Sequence, residues 1–371
     1  MNHSIPTFQL FSCLLLLLCP VGAEAADWQA EWQKALEGAR REGQLVVAIS
    51  PNPELRKEWE SILKQKFGIA IEVLPGRGPE TGARIVKEVR AGVHYIDVYF
   101  FGGCGGVTLI HEGVLEPLAE YMILPEVADA KNWWGGHMWM DNVSTRRYFY
   151  SFVADGGQSS VWYNSDLLKP EELRSYDELL SPKLRGKIGL LDPRTPGGGQ
   201  STWAHLWRIK GEDFLRKLVK QDLFMSRNRR QLAEALAHGK VAVTFGVSVY
   251  EYQPFVKAGL PVRKLPSFKE GEPASSGAGN VGIVKAPPHP NATKVFLNWF
   301  LGKEGQELWT KVMEQPTRRA DVETKWLLER GIDPAKDTLT VEQFLKLQNS
   351  MEDRCLKVRD PASKFAETIL K

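Results

Sequence analysis

Residues 239–261 read GKVAVTFGVSVYEYQPFVKAGLP. Val241–Phe245 is an apolar run of strand length, and it passes into a polar aromatic stretch carrying Tyr250, Glu251 and Tyr252. A buried strand that ends in such a loop builds a ligand mouth in an open α/β sheet, where ligands sit beyond the carboxyl ends of the strands. Tyr250 and Tyr252 are two apart, so on extended chain they face the same side. A pair of phenolates suits a hard ferric ion. A neutral pair can stack on or hydrogen-bond an organic solute, or simply pack between two parts of the chain.

Working outward, the rest of the chain alternates strands with helices. Leu45–Ile49 is a continuous apolar run, as expected of a strand buried on both faces. Helical spacing precedes it in Trp28–Glu42 and follows it in Leu55–Phe67, which Gly68 closes. Ile69–Leu74 and His94–Phe101 are the next strands, and the second runs into Gly102-Gly103-Cys104-Gly105-Gly106. Lys187–Leu191 is another strand, followed by the loop Asp192–Gln200 and helices over 201–210, 212–222 and 230–237. Strands separated by helices of ten or more residues predict βαβ units and mostly parallel sheets. The aromatic patch 132–150 and the extended chain around Gly156-Gly157 break this rhythm, which marks a passage from a first lobe to a second. The expected division is a leader at 1–25, a first lobe at 26–150, a second at 151–262, a return to the first at 263–314, and a charged helical tail at 315–371.

With 371 residues, 43% of them hydrophobic and 25% charged, the chain is long enough for two globular domains. A net charge of only +3, without a dense Lys/Arg stripe, argues against a nucleic-acid partner. Leu10–Leu18 followed by Ala23-Glu24-Ala25 reads as a secretory leader with an A-x-A cleavage site. Its apolar core is too short for a comfortable membrane span. Cleavage would leave two cysteines, Cys104 and Cys355, either bridged or as two buried thiols in a compartment that permits disulfides.

Two glycine loops could meet a ligand. Thr195-Pro196-Gly197-Gly198-Gly199-Gln200 ends a strand and opens a helix, so its N–H groups and the helix dipole favour an anion. It is not a P-loop, because the pattern G-x-x-x-x-G-K-[ST] is absent. Gly102–Gly106 is the matching loop in the first lobe, without a dinucleotide fingerprint. Ser50 and Asn52, at the end of the first strand, complete that wall. Catalytic signatures are poor, since G-x-S-x-G, H-E-x-x-H and CxxC are all absent. The alternative to a binding protein is a secreted hydrolase with Cys104 as nucleophile.

Several stretches together resemble the periplasmic extracellular solute-binding proteins of ABC transporters, in the branch with ferric-ion, thiamine and phosphonate binders. The similar segments are 112–117 (EGVLEP), 162–167 (WYNSDL), 176–188 (YDELLSPKLRGKI), 287–292 (PPHPNA) and 298–306 (NWFLGKEGQ). The resemblance covers most of 45–309. It implies a type II periplasmic-binding-protein fold, with two α/β lobes, two crossing strands and an interlobe cleft. It also implies no catalysis and no cofactor, a monomer in the periplasm, a small polar or anionic solute, and a membrane permease as partner. The ligand-contacting residues expected on this reading are Ser50, Asn52, Gly102, Gly103, Thr195, Gly197, Gly198, Gln200, Tyr250 and Tyr252. A ferric binder of this branch carries two adjacent tyrosines where Val249-Tyr250 stands here, so Tyr252 would have to replace one if the cargo were ferric.

Overall fold

A computed structural model describes residue 1 and residues 22–370, apart from residues 77, 158–160 and 267. Most of the expected leader, residues 2–21, lies outside the described residues. Among those described, no helix is long and apolar enough to cross a membrane.

Eleven strands form two sheets among the described residues. The first contains β1 (Gln44–Ile49), β2 (Ala70–Pro75), β3 (Val98–Phe101), β4 (Leu115–Glu116), β5 (Phe149–Ser151) and β11 (Asn280–Val284). Its order is β2-β1-β3-β11-β4, with β5 also paired to β11. The second contains β6 (Trp162–Asn164), β7 (Ile188–Leu191), β8 (Phe224–Ser226), β9 (Val243–Phe245) and β10 (Val262–Lys264), in the order β10-β6-β9-β7-β8. Each sheet has a parallel core, β2-β1-β3 in one and β9-β7-β8 in the other. The strands that join the sheets pair antiparallel: β11 with β3, β4 and β5, and β6 with β9 and β10.

The continuous apolar run of β1 has the expected cause. Leu45, Val47 and Ile49 enter one core with Trp59, Phe296 and Trp309. Val46 and Ala48 enter another on the opposite face, with Ile85, Tyr99 and Leu109. Helix Pro53–Phe67 covers the first face. Asn52 caps its start by accepting the Leu55 N–H, and Gly68 closes it in the left-handed region at φ 75°. The second sheet is likewise covered on both faces, by cores centred on Trp203 and on Tyr252.

The chain crosses between the sheets from β5 to β6 and returns from β10 to β11. The two crossing segments meet at Asp155 and Ser275, whose N–H groups each donate to the other's carbonyl at 2.9 Å. The segment after residue 314 then passes over both lobes. Thr317 and Arg319 pair with Val153 and Trp133. Leu327 and Ile332 pack with Trp162 and Tyr252 of the second lobe. Phe344 and Met351 pack with Met138, Ala154 and Ala274. Cys355 is bonded to Cys104 in the first-lobe glycine loop, with a Cα–Cα distance of 5.6 Å. Helix Asp360–Ile369 finally buries Ala362, Phe365 and Ala366 in the second-lobe core.

The candidate interlobe site

A small cavity of about 60 Å³ lies where the crossing segments meet the end of β9. Its walls come from four places: Val153, Asp155 and Gly157 on the outgoing crossing, Gly277 on the return, Ser248 to Tyr250 after β9, and Gln315, Gly331 and Ile332 on the C-terminal segment. Its volume leaves room for a few waters or a small ion.

The local structure corrects one sequence expectation. Residues 249–257 are a helix, with Ser248 as its first flanking residue. Tyr250 and Tyr252 therefore sit roughly 200° apart around the helix axis instead of facing one side. Tyr250 is 44% exposed and lines the cavity, and its hydroxyl end donates to the Met313 and Glu314 carbonyls at 3.2 and 3.3 Å. Burial of that end raises its pKa. Tyr252 is fully buried, its ring stacked on Trp162 at 4.7 Å and its hydroxyl 2.6 Å from Thr244 Oγ1. The two phenols do not converge on one point. Among the described residues no group of three or more His, Cys, Asp or Glu side chains is arranged for a metal ion.

The two glycine loops do face each other across the lobes, and the C-terminal segment stands between them. In the second-lobe loop the glycines have a packing cause. A Cβ on Gly198 would lie 2.2 Å from the Gly246 carbonyl oxygen, and one on Gly199 would lie 2.1 Å from that of Leu191. The helix start is thus pressed onto the ends of β7 and β9. Thr195 turns inward, its hydroxyl donating to the Asp192 carbonyl at 3.1 Å. Gly197, at φ 141°, lies near Arg229. Gln200 donates to Ser363 Oγ and accepts from Arg359 Nη2, both at 2.7 Å. In the first-lobe loop Gly102 lies against the Gly277 carbonyl, and Gly103, at φ 56°, has Arg359 over it. Ser50 is exposed at the end of β1. Asn52 is spent on its helix cap and on a contact from Nδ2 to Met313 Sδ at 3.1 Å.

Cys104 is not a free thiol, because its sulfur is bonded to Cys355. The hydrolase alternative loses its nucleophile. The aromatic patch is also structural: Trp133 and Trp139 each pack edge to face on Tyr150.

Sequence reading missed Asp155. It is the one acidic residue in the apolar stretch 151–157, SFVADGG, and that contrast was the available signal. Asp155 Oδ1 accepts the Gly157 N–H at 3.0 Å, and burial raises its pKa to about 7. Nearby, Lys264 donates to the Asp333 carboxylate at 2.5 Å and to the Gly331 carbonyl at 3.1 Å. Glu272 is almost fully buried, and burial raises its pKa to about 8. The hinge region thus carries three carboxyl groups beside one lysine, and two of them hold their protons near neutral pH.

Residues 60–331 match the family model described as bacterial extracellular solute-binding protein. A curated relative, the Fe(3+)-binding periplasmic protein of Serratia marcescens, is 24% identical over 277 residues, covering 71% of this chain and 75% of its own. Iron-bound HitA from Pseudomonas aeruginosa superposes with a TM-score of 0.64 at 16% identity, over 88% of this chain and 99% of that one. The periplasmic binding protein AfuA from Actinobacillus pleuropneumoniae, solved with fructose 6-phosphate, gives 0.59 at 19% identity, over 88% and 99%. Both structures share the type II periplasmic-binding-protein fold with this chain.

Proposed function

The chain belongs to the bacterial extracellular solute-binding protein family, and from that premise we propose that it captures a small polar or anionic solute between its lobes and delivers it to the permease of an ABC importer. The observation that carries this reading is the cavity at the paired crossing segments, whose walls come from both crossings, the second lobe after β9 and the C-terminal segment. Rotation of the lobes about the Asp155–Ser275 pair would widen that space to admit solute and close over it. Tyr250, which lines the cavity, is the sequence-predicted residue best placed to touch solute. Asp155 joins it as a donor when protonated and an acceptor when not. Gly102, Gly103, Gly197, Gly198 and Gln200 form the flanking walls, and Ser50, Asn52 and Thr195 support them. The protein acts as a periplasmic monomer after loss of its leader.

A ferric cargo is supported by the Serratia marcescens relative. The placement of the tyrosines favours an organic solute or oxyanion instead, since Tyr252 is committed to Trp162 and Thr244 in the core. Native mass spectrometry of protein purified from its own compartment tests the reading. The expected spectrum shows one small adduct per chain that leaves on unfolding. A bare chain, whose melting temperature no small polar solute or ferric citrate raises, would overturn it.

A further inference from the structure

We propose that Arg359, supplied by the C-terminal segment between the glycine loops of the two lobes and outside the lining of the cavity at the crossing segments, is the residue that recognises an anionic group of the solute, so that the solute carries an oxyanion, either carboxylate or phosphate. This rests on the solute-binding reading and narrows its ligand. Arg359 lies outside the residues that match the family model.

Position comes first. The guanidinium sits between the glycine loops of the two lobes. Nη2 donates to Gln200 Oε1 of the second lobe at 2.7 Å. Nη1 lies 3.0 Å from where a Cβ on Gly103 of the first lobe would stand. A side chain at Gly103 would crowd the guanidinium, and φ 56° there already favours glycine.

Charge balance is the second point. Arg359 is only 5% exposed, and its single hydrogen bond among the described residues is the one to a neutral amide oxygen. Nε has no partner. No carboxylate is in ion-pair contact with it among those residues; the adjacent Asp360 is exposed at the start of the next helix. The other two buried arginines differ. Arg319 makes a two-pronged pair with Asp321 and donates to the Glu126 and Leu301 carbonyls. Arg318 also leaves Nε bare, but its Nη atoms donate to three carbonyls, of Ser151, Trp134 and Gly136, and it lies near the rings of Trp133 and Tyr150. Only Arg359 is buried with a nearly unspent fork. An uncompensated buried cation costs several kcal/mol, and a guanidinium fork matches an oxyanion two-pronged. The missing anion is the solute.

The third point is how firmly the group is held. Cys355 and Arg359 begin and end a single π-helical turn, a feature frequent at functional sites. The disulfide fixes one end of that turn to the first-lobe loop. At the other end, Ser363 accepts from Gln200 Nε2 and so turns Gln200 Oε1 toward Arg359. The fork is pre-organised from both lobes.

Titration of the full chain with inorganic phosphate, sulfate and citrate, read by thermal unfolding and calorimetry, tests this on wild type, Arg359→Lys and Arg359→Met. Wild type should be stabilised saturably by at least one of these anions, with phosphate and citrate separating the two oxyanion classes. Arg359→Met should bind at least tenfold more weakly, and Arg359→Lys in between. Without anion, Arg359→Met should melt at or above wild type, because it deletes an unpaired buried charge. Should Arg359→Met not fold, Arg359→Gln takes its place. If no oxyanion stabilises wild type, or if the response survives loss of the guanidinium, the proposal falls. A co-purifying neutral or cationic solute would sink it while leaving the solute-binding reading intact.

Discussion

Helix Pro53–Phe67 and helix Asp360–Ile369 are both amphipathic, but they find their partners differently. The first carries its own cap at Asn52, stops at Gly68, and lies on the sheet strands that flank it in sequence. The second is reached through a π-helical turn, has no side-chain cap, and packs on helix Gly198–Val219 of the other lobe. The same contrast holds for the regions around them. Much of residues 44–264 folds by alternation, helices such as Pro53–Phe67 and Arg229–Ala237 returning to strands near them in sequence. Residues 315–370 fold by long returns, touching the first lobe at Thr317, the second at Leu327, the first again at Cys355 and the second again at Ala362. A segment that crosses the lobe boundary repeatedly is part of the fold and of the cleft, not an appendage to either lobe.

The largest expected effect comes from cutting that tie. The Cys104–Cys355 bond closes a loop of 251 residues. A native disulfide closing a long loop contributes about 2–5 kcal/mol. The Cys104→Ser/Cys355→Ser chain should lose stability of that order in urea unfolding, and its C-terminal segment should become the first site of proteolysis. Stability within about 0.5 kcal/mol of wild type, as for an ordinary surface change, would mean that the segment is an appendage after all.

This contrast also explains what could be read from the chain. The strands at Leu45–Ile49 and Lys187–Leu191 were legible because burial on both faces leaves a continuous apolar run. The helices at 53–67 and 229–237 were legible from periodicity and their flanking residues. The fold class followed from the alternation of the two. The C-terminal segment reads as charged and helical, and that charge includes Arg318, Arg319, Glu352 and Arg359. All four are buried, and what buries them is up to 250 residues away in sequence, beyond any periodic signal. The tyrosines failed for a local reason. The strand before them ends at Phe245, and a helix beginning at Val249 turns Tyr252 inward.

The hinge supplies a middle-sized test. Glu272 and Asp155 have pKa values raised by burial, to about 8 and about 7, above their unfolded values near 4. Between those limits the unfolded chain has released these protons and the folded chain keeps them, so stability falls as pH rises from about 4 to 8. Glu272→Gln keeps the shape and removes one ionisation. Its stability should decline less over that range, and at pH 8 it should exceed wild type. The C-terminal segment enters here through Asp333, which adds to the repulsion on both groups. An unchanged pH profile in the variant would mean that Glu272 titrates as an exposed carboxylate, and that the segment does not enclose the hinge.

The smallest effect separates the two tyrosines, one facing the cleft and the C-terminal segment, the other inside the second lobe. Tyr252→Phe removes a hydroxyl that shares a 2.6 Å hydrogen bond with Thr244 in the core. The buried Thr244 hydroxyl keeps only its longer contact to the Trp162 carbonyl, at 3.4 Å. A net cost of about 1 kcal/mol in unfolding is expected, with no change in solute affinity. Tyr250→Phe removes a hydroxyl that tethers the second lobe to the Met313 and Glu314 carbonyls at the rim of the cavity. Being on a half-exposed residue, it should cost under about 0.5 kcal/mol and should instead weaken retention of the co-purifying solute. If Tyr252→Phe lowered affinity at no cost in stability, or brought the same loss of solute as Tyr250→Phe, the two phenols would act as a pair, and the helix at 249–257 would have to unwind when solute binds.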